Sequence, residues 1–77
     1  GQSMAGFFKP GDAVLVKRVY AAKEGEFVVA RHPDNSSIRL LKRVAAVKDG
    51  QYLLKSMCHP KCAWQVGGVE GVVTSIL

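Results

Sequence analysis

Apolar residues in this chain come in short runs separated by turn-forming residues. The runs are AVLVKRV (13–19), EFVVARH (26–32), SIRLLKRVAAV (37–47), QYLLKSM (51–57) and VEGVVTSIL (69–77). All are rich in Val, Leu, Ile or aromatic side chains, which suit a pleated and half-buried surface. Between and around them stand KPGD (9–12), KEGE (23–26), HPDNSS (32–37), KDGQ (48–51) and VGGV (66–69). Pro-Gly suits the two central positions of a type II turn, and Asp-Gly between apolar runs is a strong hairpin signal. HPDNSS reads as a polar hairpin turn. The pattern predicts a mainly β domain of five or six strands, folded as a small, strongly curved sheet or open barrel. One domain fills residues 1–77, with no internal repeat or linker, and it is expected to be a piece of a longer protein.

One residue stands out against this pattern. At the two-residue period of a strand, Ile38, Leu40, Val44 and Ala46 share one face, and Lys42 falls in their middle. Arg39 and Arg43 point the other way. A two-residue loop at Asp49-Gly50 pairs Val44 with Lys55 and Lys42 with Met57, which places Lys55 on the face of Lys42. The opposite face, with Leu41, Val47, Tyr52 and Leu54, is then also partly apolar. Periodicity therefore leaves two states for Lys42: a buried amine, or a stem lying over apolar surface with its head in water. The second is the commoner state of a lysine.

The formal charge of +5 changes this picture little. Eleven basic residues are scattered from Lys9 to Lys61, never more than two adjacent, and they do not alternate with aromatics as a single-strand binding surface requires. A solvated basic surface accounts for them. No run is long or apolar enough to cross a bilayer, and no signal-peptide pattern opens the chain, so a soluble segment is expected. The cysteines lie in CHPKC (58–62), where a four-ligand zinc site would need both His59 and His32. The spacing is not that of a zinc knuckle. Two reduced thiols in a loop is the simpler reading, with a local disulfide as the alternative in an oxidising compartment. Neither metal nor cofactor is expected.

Taken together, five stretches resemble the peptidase domain shared by LexA-type repressors, UmuD-like proteins and signal peptidases. They are GQSM (1–4), PGDAVLV (10–16), EGEFVVAR (24–31), LLKRV (40–44) and VEGVVTSIL (69–77), in the family's order and with compatible spacing. The resemblance implies a serine endopeptidase with Ser3 as nucleophile and Lys42 as general base. A serine hydroxyl attacks a peptide carbonyl usefully only when a neighbouring base takes its proton. A lysine can do so only when neutral, and apolar surroundings disfavour the charged form of any lysine. An apolar-facing lysine is therefore what a Ser-Lys dyad, a known variant of the serine–histidine–aspartate arrangement, requires. Met4, Leu40, Leu41 and Val44 are the expected pocket walls. The backbone N–H groups of Gln2 and Ser3 are the expected oxyanion donors.

The resemblance further implies the self-cleaving C-terminal domain of a LexA-like repressor or UmuD-like protein in the cytoplasm. Such a domain would form a homodimer, respond to alkaline pH or a RecA filament, and reach DNA only through another domain. Its substrate would be a peptide or its own chain. Two alternatives stay open: a non-catalytic dimerisation module pairing through an exposed strand edge such as VEGVVTSIL, and a signal-peptidase-like maturation protease lacking its membrane anchor. The chain also departs from the family pattern. SMAGFF lacks the proline that follows Ser-Met in signal peptidases, SMCHPKCAW (56–64) replaces their Gly-Asp-Asn-Ser-like stretch, and the second Gly-Asp is Gly25-Glu26. These departures favour the LexA-like branch. No cleavage segment precedes Gly1, so the substrate is expected from a longer parent chain or from another molecule.

Overall fold

A computed structural model of the chain describes residues 13–56 and 61–77. Its elements are β1 (Val14–Lys17), β2 (Phe27–Arg31), β3 (Arg39–Lys48), β4 (Gln51–Lys55), β5 (Ala63–Val66) and β6 (Gly71–Ile76). They form one sheet in the order β1-β6-β2-β3-β4-β5, with every neighbouring pair antiparallel. The fold is mainly β, as the alternation predicts, and the sheet stays open with β1 and β5 at its edges. The five apolar runs correspond to β1, β2, β3, β4 and β6. The sixth strand, β5, lies in AWQV, outside those runs.

Local chemistry explains the turns. Asp49 and Gly50 both take positive φ, 53° and 76°, the combination a type I′ hairpin turn needs, and Lys48 pairs with Gln51 across it. The HPDNSS segment closes on itself: His32 N donates to the Ile38 carbonyl at 2.8 Å, and Asn35 Oδ1 accepts from both N and Oγ of Ser37. Ahead of β2, Lys23 N donates to Glu26 Oε1 at 2.6 Å, and Gly25 N donates to the Val44 carbonyl at 2.8 Å. Together these bonds align β2 and β3 from both ends.

The hairpin register differs from the simple expectation. From the turn, Val47 pairs with Tyr52 and Ala46 with Leu53, but Val44 then pairs with Leu54 and Arg43 with Lys55. Ala45 is an extra residue in β3, a bulge that turns the alternation over. Two expectations fall with it: Lys55 lies on the face opposite Lys42, and Ala46 leaves the face of Val44. Tyr52 and Leu54 move to the side of Lys42 instead. The gain is burial, since both are in the core, Leu54 completely.

Phe27 and Val73 are buried on one face of the sheet, and the main core cluster lies on the other, the face of Val28. Val28, Ala30, Val44, Tyr52, Leu54, Val66, Val69 and Val72 form this cluster, with Val19, Ala22 and Trp64 packed around. Rows of paired residues cross the strands: Val72 with Val28, Ala30 with Leu40, Val44 with Leu54 and Trp64, and Tyr52 with Val66. Burying each large side chain fully contributes roughly 1.5–3 kcal/mol. The Tyr52 hydroxyl accepts a hydrogen bond from Ala22 N at 3.3 Å, which ties the 18–25 segment over the sheet.

Two features concern β6. It pairs with β1 on one side and β2 on the other, so VEGVVTSIL forms an interior strand and not the exposed edge that a pairing module would use. Its first residue, Gly71, must be glycine for space. A Cβ there would run into the Val16 side chain and sit 3.0 Å from the Lys17 carbonyl oxygen. Directly ahead of β6, Glu70 accepts from Arg31 Nε at 2.7 Å and from Arg39 Nε at 3.3 Å. The hydrogen bond from Arg31 holds the Glu70 carboxyl below its ordinary value of 4.5; partial burial opposes this, and the charges of Arg31 and Arg39 reinforce it.

Three measurements check this packing. Leu54→Ala should lower unfolding stability by about 2–5 kcal/mol in urea titration, a loss below about 1 kcal/mol being incompatible with a filled core at Leu54. Gly71→Ala should cost about 1–3 kcal/mol through overpacking and loosen β1, read as faster amide exchange in Val14–Lys17. Glu70 binds its proton more weakly folded than unfolded, so its contribution is present above 4.5 and is lost as pH falls through the lower folded value. Glu70→Gln should therefore lessen the fall in melting temperature on acidification below 4.5. The effect will be small, because these side chains are well exposed to solvent.

Candidate active site

The site is built outward from Lys42, on the central strand β3. Lys42 pairs with Val28 of β2, whose side chain is completely buried, so the lysine points to the core face. Leu40 and Val44, two residues before and after it, lie on the same face; Val44 is completely buried and Leu40 half-buried. Leu41 pairs with Val29 and points to the reverse face. Lys42 itself is half-buried. The bulge at Ala45 completes its surroundings by bringing Leu54 beside Val44 and moving Lys55 to the other side.

The amine end is held by a residue outside the sequence-predicted set. Lys42 Nζ lies over the Trp64 ring, 4.7 Å from its centroid, within the range of a cation–π contact. Trp64 is on β5 and pairs with Leu54 of β4, which in turn pairs with Val44. Two strand spacings, about 10 Å, separate the backbones of β3 and β5. The contact therefore requires the lysine stem to run across β4 on the core face, with the indole leaning toward it. The sequence offered one signal for Trp64: AWQV alternates apolar and polar positions, with Trp64 and Val66 on one face.

Ser3, Gln2 and Met4 lie outside the described residues, as do Cys58 and His59. Cys62 is a free, exposed thiol whose carbonyl accepts from Ser56 N at 3.3 Å. His32 is engaged in its turn, its Nδ1 accepting from Asp34 N at 3.0 Å. A cleft of about 470 Å³ between that turn and the 67–70 loop is lined by Arg31, His32 and Glu70. Its polar groups serve one another and the backbone, with Arg31 Nη1 donating to the Ser36 carbonyl at 2.6 Å.

This arrangement presents the Lys42 amine on the core face of the sheet, backed by valine and leucine, with the Trp64 ring beneath it. No curated protein and no solved structure matches the chain. A family model described as Peptidase S24-like matches residues 1–61, a span that includes Ser3 and all of β1 to β4 and ends before β5. That span is well over half of the 77 residues, and it carries the Ser-Met, Gly-Asp and Lys-Arg stretches in order; the chain belongs to the Peptidase S24-like family.

Proposed function

We propose that this domain is a serine endopeptidase in which Ser3 is the nucleophile and Lys42 the general base. One observation carries the reading: in a chain of peptidase family, Lys42 sits on the core face of the sheet among Val28, Leu40 and Val44. The two arginines near it in sequence, Arg39 and Arg43, lie on the reverse face. In the proposed reaction the neutral Lys42 amine takes the Ser3 hydroxyl proton as the oxygen attacks the scissile carbonyl. The resulting ammonium then returns the proton to the leaving amine. Gln2 and Ser3 N–H groups stabilise the oxyanion.

Within this reading, the substrate is a peptide segment of the parent chain or of a like molecule, as in LexA-type and UmuD-like proteins. The same proposal includes dimerisation, stimulation by a RecA filament and a cytoplasmic setting. An extended substrate would pair with β1 or β5, the outer strands of the sheet among the described residues. β5 carries Trp64, so a segment lying along it would pass close to the Lys42 amine.

Incubation with a peptide library of mixed sequence, read by mass spectrometry, tests the dyad. Cleavage and labelling of Ser3 by a serine-directed acylating reagent should both disappear in Lys42→Ala and in Ser3→Ala, with the fold retained by circular dichroism. Retained cleavage in Lys42→Ala rules the mechanism out. Because only the neutral amine accepts a proton, cleavage should rise toward alkaline pH, and a flat profile from about pH 6 to about pH 10 contradicts the assignment.

A further inference from the structure

We infer that Trp64 is a positioning residue for Lys42: its ring holds the charged amine on the core face of the sheet and releases it on deprotonation. The inference rests on the peptidase reading for its consequence, but its physical basis is independent. An aromatic face attracts an ammonium through its quadrupole and exerts no comparable pull on a neutral amine. The 4.7 Å contact is thus one that an ammonium favours more than a neutral amine does.

The geometry makes the contact more than a chance approach. Lys42 and Trp64 sit on strands that are not neighbours, and β4 lies between them. Their side chains meet only because the β3 bulge aligns Val44, Leu54 and Trp64 in one row, next to the row of Lys42. A lysine free to follow its solvation would extend away from this apolar row. Other titratable groups of the described residues reach the same face at its margins. By register and alternation these are Lys17 on β1, Glu26 at the head of β2, His32 at its end, Tyr52 on β4 and Cys62 ahead of β5. Glu26 accepts from Lys23 N, and the Tyr52 hydroxyl accepts from Ala22 N. Trp64 is the group found over the amine.

Trp64 is the single tryptophan of the chain, so its emission reports on this contact directly. Emission should be followed from neutral to alkaline pH in the full chain and in Lys42→Met. The expected result is a step in the unaltered protein that Lys42→Met lacks; superposed curves overturn the inference, whatever cleavage does. Cleavage of the mixed peptide library by Trp64→Leu should have its rising limb at lower pH, about two- to five-fold faster at a fixed pH on that limb, with the alkaline plateau kept. Trp64→Phe, which retains a ring, should lie between the two. A limb that stays in place in Trp64→Leu also overturns the inference. A Lys42-dependent emission step in a protein that never cleaves defeats the peptidase reading alone and leaves the Lys42–Trp64 contact standing.

Discussion

The extra residue at Ala45 governs the arrangement of this domain. A sheet whose main core cluster lies on one face tolerates no slip of register, since a shift by one residue exchanges the side chains of its two faces. On the turn side of the bulge, Val47 faces Tyr52; beyond it, Val44 faces Leu54. Without the extra residue, Leu54 and Tyr52 would be on the face opposite Val44, and the strongest apolar contacts of the β3–β4 hairpin would be divided between two sides. The bulge collects them. It also moves Lys55 away and leaves Lys42 as the charged residue of β3 on the covered side.

A lysine in that position is subject to two opposing influences. Val28, Leu40 and Val44 offer an amine nothing to replace lost water, whereas the Trp64 ring offers an ammonium a compensating partner. The rest of the sheet is conventional by comparison. Arg31, Arg39 and Glu70 form their ion pairs on exposed surface, and the 32–38 turn satisfies its own polar groups.

Glycine contributes at β6 for a similar reason of space. Gly71 lies under the Val16 side chain, allowing β1 to close over the start of β6, while β2 pairs on its other side. The same close approach makes β6 interior and leaves β1 and β5 as the edges.

Much of the fold was legible in the chain, because turn chemistry and two-residue alternation are local properties. Asp49-Gly50 specified its hairpin turn, HPDNSS its polar loop, and five apolar runs their strands. The lysine among apolar neighbours, and the Ser-Met and Gly-Asp stretches ahead of it, marked the candidate chemistry and the family. Tertiary structure decided what lay beyond local reach. Val-Ala-Ala-Val accommodates a bulge or a regular ladder equally well, and the burial of Leu54 and Tyr52 selects between them. AWQV is too short and too near CHPKC to declare itself a strand until Leu54 supplies an edge for it to pair with. The meeting of Lys42 and Trp64, 22 residues apart in sequence, depends on both outcomes, and so only the assembled sheet could bring amine and ring together.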